Sequence, residues 1–234
     1  MQRSQNKTLI AHLEALRQVL IKCLSALGVC FLPCFFVAPY VIDGLCCFIK
    51  EKTDISLNFF APMEVFILQI KIALILDVLL CFPYMAKKIW YFILPGLYVH
   101  ERKFIRLLAI SSSLLFIAGV LFCVFFVLPL IMQFALSFET QDLKPMFGIA
   151  HIVSLCLGLS IVFGVIFEFP LITYALICSK ITSYQSISKK RPYVFLSILI
   201  LSAFFTPPDI VSQILLAVPS YVLFELGLFF ARSK

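Results

Sequence analysis

The apolar stretches 104–136 and 147–178 are each longer than the roughly 20 residues a helix needs to cross a bilayer. No soluble core of this size could hide such runs. Of the 234 residues, 62% are hydrophobic, 26 are Phe and only 13% are charged. The sequence therefore reads as an all-α, polytopic membrane protein. Residues 1–18 are polar or amphipathic, and no small-residue cleavage pattern follows the first apolar run, so that run reads as a retained helix rather than a signal peptide.

Six transmembrane helices are expected, at about 19–41, 63–85, 104–136, 147–178, 193–206 and 208–231, within a single domain covering 1–234. The third and fourth must tilt, bend or project beyond the bilayer, and Pro129 and Pro170 are the expected bend points. The fifth is short. Tyr193 to Phe205 is 13 residues, which at about 1.5 Å per residue spans only ~20 Å of a core near 30 Å, so a thinned bilayer is expected around this hairpin.

Orientation follows from the distribution of Lys and Arg. Most of the 19 basic residues lie in the N-terminal segment, 86–106, 179–192 and the C-terminus. The opposite segments, 42–62 and 137–146, hold only Lys50, Lys52 and Lys144, and Lys71 lies within the second helix. The positive-inside rule places both termini in the cytoplasm. The net charge of +7 is thus a topology signal. Nucleic-acid binding is excluded, because no soluble face interleaves basic and stacking aromatic residues.

No motif carries covalent chemistry. The nine cysteines include no CxxC pair, there is no His cluster, and most of the thiols sit in apolar runs where they behave as small hydrophobes. Neither a metal site nor a cofactor is expected from these spacings. The Gly-rich phosphate loop, HExxH and GxSxG patterns are missing too.

The informative residues are the polar ones inside apolar runs, each of which costs about 2.5–3.5 kcal/mol at a bilayer centre. Lys71 and Asp77 lie six apart on the second helix and point to different neighbours. Glu168, in FEFP, sits beside the Pro170 bend, where freed carbonyls suit a polar cavity or a partner's side chain. Between helices five and six, TPPDIVSQ places Asp209 three after Thr206, as in a capping box, and capping accounts for that acid. Gln213 lies one turn deeper; its amide needs a partner in this chain or in another transmembrane helix.

Several stretches in order, HLEALR (12–17), PMEVFILQIKIAL (62–74), IWYFILPGLYVHERK (89–103), FGVIFEFP (163–170), KKRPYV (189–194) and TPPDIVSQILLAVPSYVLFELGLFFAR (206–232), resemble the TatC family, the multi-spanning core of the twin-arginine protein translocase. The resemblance covers almost the whole chain. It implies a concave six-helix bundle with short last two helices, in a bacterial cytoplasmic (inner) membrane, with an organelle membrane as the alternative. It also implies a non-enzymatic receptor that binds twin-arginine signal peptides of folded cargo. Such a protein works with TatA- and TatB-type single-span partners in homo- and hetero-oligomers, driven by the proton-motive force.

The same resemblance assigns residues. Glu101 would contact the arginine pair, with Phe92, His100 and Arg17 in the same signal-binding region. A carboxylate accepts a guanidinium bidentately, a geometry that lysine cannot reproduce. The family's second acid belongs to an HLxELR motif. Here the acid is Glu14 and Ala15 stands in the usual place, about 100° away around a helix. Glu168 would line the concave polar face, and Asp209, Gln213 and Lys71 would serve intramembrane contacts with partner helices. Asp77 departs from the pattern, where a small or weakly polar residue is expected. The competing readings are a secondary transporter or channel using Lys71, Asp77 and Glu168, and an intramembrane enzyme. The second lacks paired acids, and His151 lies near the outer end of helix four.

Overall fold

The computed structural model describes residues 2–53, 61–93, 102–137, 148–179, 182–205 and 210–232, and the structural statements below concern these. They are almost entirely helical, and no β-strand occurs among the described residues. In chain order the helices are α1 (Gln2–Thr53), α2 (Pro62–Ile93), α3 (Arg102–Phe122), α4 (Leu128–Leu136), α5 (Ile149–Phe167), α6 (Phe169–Cys178), α7 (Tyr184–Lys189), α8 (Arg191–Phe205) and α9 (Ile210–Arg232). Four stretches are long and apolar enough to cross a membrane: Leu13–Glu51, Met63–Ile93, Lys103–Leu136 and Ile149–Cys178.

The two expected bend points are where the long helices change. Pro129 has no N–H for the carbonyl four residues back, and its ring crowds that carbonyl. The helix answers just upstream with a widened π turn over Cys123–Val127, and the Leu128 N–H bonds to the Cys123 carbonyl, five residues back. At Pro170 the break is complete. Glu168 closes α5 and opens α6, with φ −74° and ψ −19°, and its N–H turns back to the Val165 carbonyl at 3.1 Å.

Three boundaries differ from the sequence expectation. The first helix, expected at 19–41, runs from Gln2 to Thr53 and accommodates Pro33 and Pro39. The second, expected to end at 85, continues past Pro83 to Ile93. An apolar run measures the lipid-immersed length, whereas the backbone hydrogen-bond ladder need not stop where hydropathy falls. Inside the basic segment 179–192, the short helix α7 forms because Ser183 caps it, its Oγ accepting from the Ser186 N–H at 3.3 Å.

Packing is a chain of neighbours. α1 lies along α2; α2 also touches α3 and α5; α3 packs on α5; and α9 holds α6 and α8. Ala38 and Ala73 are fully buried where α1, α2 and α5 meet, together with Ile42, Leu68, Ile72 and Val153. Such small residues let transmembrane backbones approach closely. Gly119 takes this furthest: a Cβ there would stand 2.6 Å from the Phe163 carbonyl oxygen of α5. The outward faces are apolar. Leu24, Val29, Leu32 and Phe36 of α1 and Ile110, Leu114 and Leu121 of α3 are exposed, as lipid-facing side chains must be.

Candidate functional site

Glu101 and His100 lie outside the described residues, but the helices that lead to them are firmly held. Trp90, near the end of α2, is buried with Ala86 against Ile105, Leu108 and Ala109 of α3 and Ala175 of α6. An indole and five smaller apolar side chains therefore clamp both sides of the segment that contains Glu101. Phe92 is half-buried just beyond Trp90. Lys88 sits over the Tyr84 ring, 5.4 Å from its centroid.

Glu14 and Arg17 are both exposed on the first turns of α1 that the structure describes in full, and so is Ala15. The helix is continuous through this region, so positions 14 and 15 point about 100° apart around it.

Glu168 is 7% exposed at the α5–α6 break. The Ser112 hydroxyl of α3 donates to its Oε2 at 2.6 Å, whereas Oε1 is buried with no hydrogen-bond partner among the described residues. Ser113 and Thr173 are buried nearby in sequence, but their hydroxyls are spent on their own helices: Ser113 on the Ala109 carbonyl, Thr173 on Phe169 and Pro170. The break thus leaves one carboxylate oxygen with unused accepting capacity inside the protein.

Lys71 and Asp77 face different neighbours, as their spacing requires. Lys71 Nζ donates to Ser154 Oγ of α5 at 2.8 Å and lines an open cleft with Glu64, Ile67, Leu68, Ala150 and His151. Asp77 is 2% exposed and turns toward α1. Lys71, Asp77 and Glu168 therefore meet residues of α5, α1 and α3 respectively, and do not assemble into one polar path.

Asp209 lies outside the described residues. Gln213 finds its partner within the chain: its Nε2 donates to the Leu199 carbonyl of α8 at 3.1 Å, and the Ser202 hydroxyl donates to the same oxygen at 2.8 Å. Sequence reading did not single out Arg191 and Tyr221. Arg191 Nη2 meets Glu225 Oε2 at 2.9 Å, and the Tyr221 hydroxyl donates to Glu225 Oε1 at 2.9 Å. Only the four-residue spacing of Tyr221 and Glu225 on α9 was visible as a signal.

Comparison with known proteins places this arrangement. A family model described as Sec-independent protein translocase protein (TatC) matches residues 11–219. The Sec-independent protein translocase protein TatC of Escherichia coli (strain K12) is 36% identical over 233 residues, covering 96% of this chain and 88% of that protein. The TatC of Carboxydothermus hydrogenoformans is 35% identical over 228 residues, covering 96% and 93%. Two crystal structures of the twin-arginine translocase receptor TatC superpose with TM-scores of 0.84 and 0.85 at 30% identity; the first, in DDM, covers 94% of this chain and 99% of its own. These relatives are protein translocase components, and the crystallised ones are receptors of the twin-arginine translocase. In sequence over nearly its full length, and in fold, this chain belongs to the TatC family of Sec-independent protein translocase proteins.

Proposed function

We propose that this chain is the signal-peptide receptor of a twin-arginine translocase in a bacterial inner membrane. It forms a single six-span unit over 1–234, with both termini in the cytoplasm. Glu101 accepts the arginine pair of the signal peptide, and Phe92, His100, Arg17 and Glu14 flank it. TatA- and TatB-type single-span proteins assemble on the membrane-embedded faces in hetero-oligomers, and the proton-motive force drives passage of folded cargo. The observation that carries the reading is the clamp around Trp90. It fastens the ends of α2 and α3 to α6, so the two helices that flank Glu101 in sequence are held in place.

Glu168 suits the continuation of this site into the membrane. Its Oε1 can accept a hydrogen bond from a donor on an inserted signal peptide or partner helix, because a buried acceptor gains most from a partner. Gln213 has its donor committed to α8, so its contribution to partner docking is to hold the α8–α9 hairpin in shape while Asp209 and Lys71 meet incoming helices.

Crosslinking tests the reading. A photoreactive group near position 101 should label a signal peptide bearing Arg-Arg and lose most labelling with Lys-Lys. Equal labelling of both, or unchanged export of folded cargo by Glu101→Ala cells, rules the assignment out.

A further inference from the structure

Of the nine cysteines, Cys30 and Cys81 come together with Asp77, which is buried, and Cys34 lies one turn along from Cys30. Cys30 and Cys34 are four apart on α1, Asp77 and Cys81 are four apart on α2, and i,i+4 residues share a helix face. The two faces meet where α1 lies along α2. Cys30 Sγ, Cys81 Sγ and a carboxylate oxygen of Asp77 all lie within 4.8 Å of one another. The Cys81 thiol stands 3.5 Å from Asp77 Oδ1, and Cys34 is within electrostatic reach of both Asp77 and Cys30. Asp77, Cys34 and Cys81 are buried, whereas Cys30 is partly exposed at the edge of the group.

We propose that these four residues form an intramembrane site for a thiophilic metal ion, of the class of zinc or copper(I), which pins α1 to α2. Two thiolates or three with one carboxylate make a donor set that soft and borderline ions prefer. In a tetrahedral zinc site, bonds of about 2.3 Å to sulfur and 2.0–2.2 Å to oxygen put neighbouring ligand atoms roughly 3.6–3.8 Å apart. The Cys81–Asp77 separation of 3.5 Å is already there, and the Cys30 sulfur, within 4.8 Å of both, needs to close by only about 1 Å, within side-chain rotation. Finally, the one hydrogen-bond donor that this carboxylate has among the described residues is a weak thiol, and a bound cation would offset its charge. Binding displaces the thiol protons to solvent and changes no oxidation state. Partly exposed Cys30 marks the entry.

The test uses the full chain purified in detergent, reduced and freed of reductant, then exposed to zinc or to cobalt(II) as a coloured stand-in. About one zinc per chain should survive gel filtration, and cobalt should give a near-ultraviolet sulfur-to-metal charge-transfer band. Cys81→Ser and Asp77→Asn should each weaken binding by at least the ~10–100-fold that loss of an outer-shell partner costs. Cys47→Ser, at an exposed thiol outside the group, should change nothing. Since a buried substitution could disturb folding, Cys30→Ala at the exposed edge provides a second variant, with helical circular dichroism as the check. No retained zinc in the reduced wild type overturns the proposal. So does equal binding by Cys30→Ala and wild type, or a Cys30–Cys81 disulfide in protein taken directly from membranes.

Discussion

Arg191, the first residue of α8, reaches Glu225 of α9 with Nη2 and Oε2 2.9 Å apart, and Tyr221 donates to the other oxygen of the same carboxylate at the same distance. Both charged side chains keep substantial exposure, 40% and 33%, so this is an interfacial latch with the modest strength of a solvated pair. It closes the basic end of the α8–α9 hairpin, while Gln213 and Leu199 brace the other end. Glu225→Gln, which keeps an acceptor for Tyr221, should lower stability by less than about 1 kcal/mol. Glu225→Ala should cost about 1 kcal/mol more, since the tyrosine hydroxyl then loses its partner too. Thermal unfolding in detergent separates the two variants; identical midpoints would remove the latch.

Ser112→Ala takes away the hydrogen bond that holds Glu168 in a buried position where Oε1 already has none. The expected loss is about 1–3 kcal/mol, larger than for an ordinary surface serine. Ser112→Thr retains the hydroxyl and should recover part of it. Melting curves for the pair provide the comparison.

Two glycines should behave oppositely. A Cβ on Gly119 would collide with the backbone oxygen of Phe163, so Gly119→Ala must push α3 from α5 and should cost about 1–3 kcal/mol. Gly28 in α1 has nothing within 4 Å of such a Cβ, so Gly28→Ala should be neutral or stabilising by up to about 1 kcal/mol. Expression level and thermal midpoint of the two proteins check this directly.

Glu14 and Ala15 are both exposed on one continuous helix, which makes the phase of the acid testable. The double exchange Glu14→Ala with Ala15→Glu rotates the carboxylate by about 100° without changing composition or charge. If Glu14 takes part in signal binding only as well as its displaced direction permits, the exchange should preserve or improve binding. A several-fold weaker signal-peptide affinity would instead show that the acid is used where it stands.

Gln213→Leu deletes the donor to the Leu199 carbonyl, which keeps Ser202 as a second donor. A stability loss of about 0.6 kcal/mol, typical of interhelical hydrogen bonds in bilayers, is expected. Reduced co-purification of single-span partners beyond that loss would mark a docking role as well.

The residues alone determined that this chain is helical and membrane-embedded, where its long helices bend, and that Lys71 and Asp77 look in different directions. Those properties follow from local rules: hydropathy over one span, the missing N–H of proline, and 100° per residue. Helix ends were less legible, because α1 and α2 continue well beyond their apolar runs, and α7 hides in a basic segment where only its Ser183 cap announces it. What tertiary structure decided are the pairings between distant positions: Ser112 with Glu168, Arg191 with Glu225, Lys71 with Ser154, and Cys30 with Asp77 and Cys81. Each joins residues from different helices, and no spacing along the chain encodes which helix face will be brought against which. That choice is made collectively, by small residues such as Gly119 and Ala38 that allow some helix pairs to approach and by the apolar clusters that fill the space between them.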